Sequence, residues 1–204
     1  MIAILDYGTG NLASIKNMLK KAGAEAMITN DKNTISSATK LILPGVGSFD
    51  NCAAKLKESG LVEILEELVF TKKIPVLGIC VGMQLMTEGS EEGRLPGLGW
   101  IKGNCVRFKT PPGSELKIPH MGWMDVNISR PSKLVEGLDE EPRFYFVHSY
   151  HVALADPADE LLSADHGYRY TAALEHENLL GVQFHPEKSH KFGMKLFQNF
   201  IAAY

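Results

Sequence analysis

The segment from residue 74 to residue 87 constrains the fold of this chain more than any other. Residues 74–79 are an apolar run, and the motif GICVGMQ at residues 78–84 places Cys80 between two glycines, each two positions away. Small neighbours allow the backbone to turn sharply from a strand into a helix while the central side chain stays accessible. The pattern therefore predicts a buried strand over 74–79, a helix over 81–87, and a thiol presented at the turn between them.

The first half of the chain alternates apolar runs with helical patterns. Strands are predicted at 2–5, 24–28 and 40–43, and helices at 12–21, from residue 50 onward, and at 61–72. This β-α-β-α order, with strands that are apolar throughout, is typical of a parallel sheet covered by helices on both faces. The first half therefore predicts an α/β fold.

After residue 98 the pattern changes to short extended segments with few helix signals. These segments lie at 105–108, 123–128, 144–147, 150–154, 171–175 and 179–184, and a last helix is predicted at 189–203. We interpret them as antiparallel strands at the edge of the main sheet. The predicted fold is one three-layer α/β/α domain spanning residues 1–204, with a mostly parallel central sheet and antiparallel edge strands in its second half.

Composition excludes several classes of protein. The chain has 204 residues and a formal net charge of −3, which gives no electrostatic reason to expect nucleic acid or an anionic membrane as a partner. No apolar run approaches the roughly 20 residues that span a bilayer. Three cysteines cannot all pair with one another, and we expect no targeting segment before the first strand. We expect a cytoplasmic protein in which a free thiol can persist.

A second motif, QFHPE at residues 183–187, supplies the groups that Cys80 lacks. A cysteine, a histidine and a carboxylate are the three parts of an activated-thiol site. Cys80 would be the nucleophile, and the start of a helix behind it favours the thiolate. His185 would accept the thiol proton and later donate it to the leaving amine, and Glu187 would hold the imidazole in the required tautomer. The predicted chemistry is acyl transfer from an amide to water through a thioester.

Such chemistry also needs hydrogen-bond donors for the developing oxyanion. The main-chain N–H of Val81 is one candidate. The other is the glycine-rich loop PGVG at residues 44–47, which follows a parallel strand and so lies at the same carboxyl edge of the sheet as Cys80. Glycines in this loop allow peptide N–H groups to approach a ligand closely.

Each of these motifs also has a less specific interpretation. An isolated cysteine after a strand more often serves only as packing, and His-Pro-Glu alone is compatible with a surface turn. The combination favours a nucleophile at Cys80. Cys52 and Cys105 have no such context, so we assign them structural roles.

The sequence does not favour a metal or dinucleotide site. His148 and His151 are three residues apart in an extended segment, which predicts that they face opposite ways. The remaining histidines outside the QFHPE motif are assigned to surface or capping positions: His120, His166, His176 and His190. The glycines at residues 8–10 lack the third glycine of a dinucleotide fingerprint and fit a tight turn into a helix. No cofactor or metal is predicted.

Together the motifs resemble those of the class I (triad) glutamine amidotransferases. The resemblance is carried by GICVGMQ and by segments spread along nearly the whole chain: residues 6–12 (DYGTGNL), 43–49 (LPGVGSF), 119–123 (PHMGW), 146–150 (FVHSY) and 181–189 (GVQFHPEKS). Within that family, PGVG and PHMGW resemble the glutaminase subunits of imidazole glycerol phosphate synthase, which take part in histidine biosynthesis. An amidotransferase that serves another pathway, such as pyridoxal phosphate synthesis, is the alternative enzyme, and a non-catalytic module that keeps the fold is a third reading.

The resemblance implies roles for further residues. Cys80, His185 and Glu187 would form the triad that hydrolyses glutamine to glutamate and ammonia. The other implied site residues are Gly47 and Val81 at the oxyanion hole and Gln84, Glu92, Ser149 and Tyr150 around the glutamine. A heterodimer with a (β/α)₈-barrel cyclase subunit is implied, with an interface that includes Met121, Gly122, Trp123 and Lys188.

The barrel subunit would receive the ammonia and form imidazole glycerol phosphate and an aminoimidazole carboxamide ribotide. Ammonia is a nucleophile only when unprotonated, so a closed interface would keep it dry and directed. We therefore expect glutamine turnover to depend on the partner, with a peptide rotation in the loop at 44–47 as the switch.

Overall fold

The computed structural model describes residues 1–110, 113 and 116–204. Its α-helices are α1 (Leu12–Lys21), α2 (Lys32–Ser36), α3 (Phe49–Glu58), α4 (Val62–Glu66), α5 (Val81–Leu85) and α6 (His190–Ala203). Its strands are β1 (Ile2–Leu5), β2 (Ala26–Thr29), β3 (Lys40–Gly45), β4 (Val76–Cys80), β5 (Gly89–Ser90), β6 (Gly103–Arg107), β7 (His120–Asp125), β8 (Asn127–Ile128), β9 (Arg143–His148), β10 (Tyr150–Leu154), β11 (Glu160–Asp165), β12 (Arg169–His176) and β13 (Leu179–Val182).

Within the described residues, one 11-stranded sheet organises the molecule. Its main path runs in the order β2-β1-β3-β4-β13-β12-β10-β6-β5, with β11 paired to β12 and β8 paired to β11. The first five strands of this path are parallel to their neighbours, and β12 is antiparallel to β13. Every residue of β1, β4 and β13 is buried, because both faces of this part of the sheet are covered.

Helices form the outer layers of the fold. Helix α1 packs against α6, and α3 packs against α5, which itself contacts β3, β4 and β13. Apolar residues four apart point inward on these helices: Ile15 and Leu19 on α1, and Leu196 and Phe200 on α6 are all buried. The predicted three-layer α/β/α fold with a mostly parallel central sheet is confirmed.

The second half of the chain differs from the prediction in two respects. Strand β13 does not lie at the edge: it is parallel to β4 and sits between β4 and β12 in the sheet interior. The segment predicted at 144–147 and residues 123–125 of the segment predicted at 123–128 do not join the main sheet, since β7 and β9 form a separate two-stranded antiparallel sheet. Only residues 127–128 of the latter segment, which form β8, pair with the main sheet. Periodicity reports which residues are buried but not which strand is the neighbour, so local patterns could not place these elements.

Backbone groups approach each other very closely where β3, β4 and α5 meet. A Cβ atom built on Gly82 would lie 1.8 Å from the carbonyl oxygen of Leu43, and one on Gly78 would lie 2.8 Å from the amide nitrogen of Met83. A Cβ on Gly45 would lie 2.7 Å from the amide nitrogen of Gly82. Only glycine fits at these three positions, and their packing brings the start of α5 against the ends of both strands.

We therefore predict that Gly82→Ala destabilises the protein. The added methyl group meets main-chain atoms that cannot rotate away, so the free energy of unfolding should fall by about 1–3 kcal/mol. Urea denaturation monitored by circular dichroism measures the change.

Gly89→Ala is the matched control, because a Cβ there meets a side-chain atom, Asn104 Oδ1, at 3.3 Å. Equal urea midpoints for the two variants would contradict the role assigned to Gly82.

Candidate active site

A cavity of about 370 Å³ opens at the carboxyl edge of the sheet, beside the ends of β3 and β4. Nine residues predicted from the sequence line it: Gly47, Cys80, Val81, Gln84, Glu92, Ser149, Tyr150, His185 and Lys188. Glu187 lies behind His185 and is buried. The structure thus brings together groups that are separated by more than half of the chain.

Cys80 lies at the turn between β4 and α5, as the sequence predicts. Its backbone has φ 55° and ψ −112°, an arrangement that a non-glycine residue rarely adopts. Such strain persists only where the surroundings enforce it, and here the close packing of Gly78 and Gly82 does so. The turn presents the thiol to the cavity although Cys80 as a whole is only 5% exposed.

His185 connects Cys80 to Glu187. Its Nδ1 lies 2.9 Å from Glu187 Oε1, and its ring lines the same cavity as Cys80. Burial lowers the pKa of His185, but the interactions of the ring with Cys80 and Glu187 outweigh burial and raise that pKa to about 9. The imidazole is therefore protonated at neutral pH and can donate a proton.

Asn11, which was not predicted to belong to the site, contacts the same carboxylate. Its Nδ2 donates to Glu187 Oε1 at 3.4 Å. Asn11 lies in the loop after β1, a parallel strand whose carboxyl end lies at the same edge of the sheet as that of β4. Two signals in the sequence could have identified it: the position of this loop at the sheet edge and the place of Asn11 in the segment DYGTGNL.

The loop after β1 also forms hydrogen bonds with the glycine-rich loop at residues 44–47. The hydroxyl of Tyr7 donates to the Pro44 carbonyl, and burial raises the pKa of Tyr7, so the hydroxyl keeps its proton. Thr9 Oγ1 lies 2.9 Å from the Val46 carbonyl oxygen and accepts from the Val46 N–H at 3.2 Å. The thiol of Cys52 donates to the same carbonyl at 3.4 Å.

These contacts fix the orientation of the peptide between Val46 and Gly47. The Val46 carbonyl points toward Thr9 and Cys52, so in a trans peptide the Gly47 N–H points the opposite way. Gly47 has φ 101°, which favours glycine at this position. Cys52, predicted to be structural, is buried as expected and contacts this loop.

The residues predicted to surround a substrate already have protein partners. Gln84 is buried, and its Nε2 donates to the Tyr150 carbonyl at 3.2 Å and to Gln183 Oε1 at 3.0 Å. Glu92 accepts a hydrogen bond from the Phe49 N–H through Oε2 at 2.7 Å. These contacts hold both side chains in fixed positions at the cavity wall.

The residues predicted to face a partner lie on the surface beside the cavity. Met121 is 57% exposed and Trp123 is 36% exposed, and both belong to β7, as does Gly122. Trp123 stacks on His190 with ring centroids 5.5 Å apart. Lys188 lies over the Tyr145 ring, 5.8 Å from its centroid, and reaches the cavity wall.

Two expectations about histidines were wrong. His148 and His151 do not face opposite ways: both rings pack on Phe108, with centroids 5.1 and 4.7 Å from it, because Ser149 lies between β9 and β10 and interrupts the strand alternation. His120 is not at the surface but fully buried beside Phe146. Burial lowers the pKa of His120 to about 4 and that of His148 to about 3, so both are neutral at pH 7.

Two classes of feature are not found in the part of the chain that the structure describes. Residues 1–110, 113 and 116–204 contain no cluster of three or more His, Cys, Asp or Glu side chains placed to hold a metal ion. Among the same residues no helix has the length and apolar character needed to cross a bilayer.

Comparison with known proteins identifies the family. A model described as "Glutamine amidotransferase class-I" matches residues 3–203. The chain belongs to this family. It is 56% identical to a protein of Methanococcus maripaludis named imidazole glycerol phosphate synthase subunit HisH 2, and 50% identical to a protein of that name from Pseudomonas aeruginosa, over 98% of each chain in both cases. The predicted family is confirmed.

Solved structures of more distant proteins share the fold. PurLQS from Thermotoga maritima superposes with a TM-score of 0.77 at 19% identity, covering 98% of this chain and 96% of the other. The glutaminase domain of CTPS from Trypanosoma brucei superposes with a TM-score of 0.67 at 17% identity, covering 99% of this chain and 92% of the other.

We predict that Glu187→Gln lowers the pKa of His185. The carboxylate raises that pKa, so the wild-type ring should titrate near pH 9 and the variant ring at lower pH. The raised pKa stabilises the folded protein fully below pH 6.5, and this contribution is lost as pH rises through about 9. NMR titration of the His185 ring, with urea denaturation at pH 6 and pH 10, measures both effects.

Glu177→Gln serves as the control, since Glu177 is an exposed carboxylate paired with Lys73. A His185 titration curve that is the same in wild type and Glu187→Gln would show that the pair does not set the proton affinity of the ring.

Proposed function

We propose that this chain is the glutaminase subunit of an imidazole glycerol phosphate synthase. It hydrolyses glutamine to glutamate and ammonia, and the ammonia passes to a cyclase subunit in histidine biosynthesis. The observation that carries the proposal is that Cys80 and His185 line one cavity and that Glu187 hydrogen-bonds His185 from behind it. Family membership and the names of relatives up to 56% identical support the same activity.

The geometry supports a thioester mechanism. The Cys80 sulfur attacks the side-chain carbonyl carbon of glutamine, which forms a C–S bond and a tetrahedral intermediate. His185, protonated at neutral pH, donates its proton to the nitrogen as the C–N bond breaks, so that ammonia leaves. A water molecule then attacks the thioester with His185 as the base, releases glutamate and restores the sulfur and the imidazolium. Glu187 keeps the ring oriented through both steps.

The oxyanion of each tetrahedral intermediate needs donors at the cavity wall. We assign the N–H groups of Val81 and Gly47 to this role, since both residues line the cavity next to Cys80. One such donor contributes about 2.7–4 kcal/mol to stabilisation of a transition state. Tyr7, Thr9 and Cys52 determine which way the Gly47 peptide faces, so they control this donor indirectly.

Gln84, Glu92, Ser149 and Tyr150 are assigned to glutamine itself. They line the cavity, and the carboxylate of Glu92 offers an acceptor for the substrate's ammonium group. Lys188 lies at the cavity wall as well, near the proposed interface. The protein contacts that hold Gln84 and Glu92 reduce the entropy lost when the substrate binds.

We assign the surface formed by Met121, Gly122 and Trp123 to contact with a (β/α)₈-barrel cyclase subunit. Exposed large apolar side chains beside a cavity are typical of a protein interface. A closed interface there would keep ammonia unprotonated on its way to the acceptor. The proposal includes a cytoplasmic location, a single domain over residues 1–204 and no cofactor.

Cys80→Ala should abolish hydrolysis of glutamine, because no other group at the site can form the thioester. The loss of kcat should be on the order of 10⁶, as for removal of a nucleophile in related mechanisms. The complex with the cyclase should still use added ammonium salts. Release of glutamate and formation of imidazole glycerol phosphate measure the two activities.

Cys105→Ala is the control for this variant. Cys105 is buried and does not line the cavity; its thiol contacts the Thr87 hydroxyl and the main-chain carbonyl of Gln84, and a smaller side chain there should leave both activities intact. Normal glutamine use by Cys80→Ala would overturn the assignment of the nucleophile.

The partner should control the glutaminase. The isolated chain should hydrolyse glutamine at least about tenfold more slowly than the complex with the cyclase and its nucleotide ligand, since effector coupling typically spans 5–150-fold. Steady-state glutamate release with and without the partner measures this ratio and tests the proposed function directly. Full activity of the isolated chain would show that the partner does not regulate the glutaminase. No glutamine hydrolysis with the partner and its ligand present would rule out the proposed function.

A further inference from the structure

Gln183 is the first residue of the QFHPE motif, and its amide reaches the nucleophile. Its side chain is fully buried, and Nε2 donates to Cys80 Sγ at 3.8 Å. The thioester mechanism gives this residue no role. An N–H group that points at sulfur interacts more strongly with a thiolate than with a thiol, because the negative sulfur is the better acceptor.

The hydrogen-bond network fixes which end of the Gln183 amide faces the sulfur. The Tyr150 main-chain carbonyl can only accept, so the Gln84 atom 3.2 Å from it must be Nε2. That nitrogen also lies 3.0 Å from Gln183, and since it is a donor, the Gln183 atom that it contacts must be Oε1. Nε2 of Gln183 is therefore the atom directed at Cys80.

We propose that Gln183 is a catalytic residue that stabilises the thiolate of Cys80, with Gln84 as the positioning residue that orients its amide. The inference rests on the proposed function only for the identity of the substrate. Gln84 holds the amide of Gln183 in place, and that amide in turn stabilises negative charge on the sulfur of Cys80.

The contribution of Gln183 differs from that of His185. The imidazole supports the thiolate only while it is protonated, and that proton is lost as pH rises through about 9. An amide is neutral and donates at every pH. Gln183 also acts at a second point in the cycle, because negative charge returns to the sulfur when the thioester C–S bond breaks. Its N–H then stabilises the leaving thiolate.

The test is the rate at which iodoacetamide alkylates Cys80 between pH 5 and pH 10. Mass spectrometry of the peptide that contains Cys80 separates it from Cys52 and Cys105, which are both fully buried. The reagent reacts with the thiolate, so the midpoint of the rate–pH curve reports the ionisation of the thiol. Gln183→Met removes the donor while keeping an unbranched side chain of similar length.

We expect the midpoint of Gln183→Met to move to higher pH and its alkylation rate at pH 7 to fall by about tenfold, the size of effect for one hydrogen bond to a charged group. Asn178→Leu is the matched control. Asn178 precedes the opposite end of β13, where its amide donates to the carbonyls of Val69 and Ile74 at 3.1 and 2.9 Å. This variant loses partly buried side-chain hydrogen bonds that do not contact the sulfur, so its curve should match that of wild type.

The inference is overturned if Gln183→Met gives the wild-type curve, or if both variants move the curve equally. If Gln183→Met does not fold, Gln84→Met is the second test, because it frees the Gln183 amide to rotate away from the sulfur. A midpoint shifted to higher pH supports the inference, and a curve equal to that of wild type overturns it. Alkylation requires no glutamine. A wild-type complex that fails to hydrolyse glutamine would therefore refute the proposed function alone, and the alkylation curves would still test Gln183.

Discussion

The buried contact between His185 and Glu187 is the interaction on which the chemistry of this molecule depends. Both side chains are almost entirely removed from solvent, and a carboxylate in such a place is costly unless a positive group or hydrogen bonds compensate for the lost hydration. The imidazolium provides that compensation, and Asn11 adds a donor to the same oxygen. The charge of Glu187 thus maintains a proton on His185 next to the proposed nucleophile.

The other buried histidines show that the environment, and not the residue type, decides this outcome. His120 and His148 are as buried as His185, yet they pack against aromatic rings and against each other without a carboxylate partner. Burial then lowers their pKa values, to about 4 and about 3, and both rings stay neutral. One chain therefore holds histidines whose pKa values differ by several units near the same cavity.

Much of the fold and of the site could be predicted because the necessary information is local. The apolar run before Cys80, the flanking glycines and the His-Pro-Glu motif identified a strand, a turn and three side chains that the structure brings together. What could not be predicted depends on contacts between distant segments. The interior position of β13, the separate β7–β9 sheet and the contacts of Tyr7 and Thr9 with the glycine-rich loop all join residues far apart in sequence. Hydrophobic periodicity carries no information about such partners.

The close packing of Gly45, Gly78 and Gly82 has a consequence for how such a protein can diverge. Each of the three glycines faces main-chain atoms that the other elements contribute, so a side chain at any one of them requires β3, β4 and α5 to separate. Single substitutions can change the surface loops around the cavity, and with them the ligand specificity of the cavity. The turn beneath the sulfur can change only if several positions change in one step, and descendants of this chain should therefore inherit it intact.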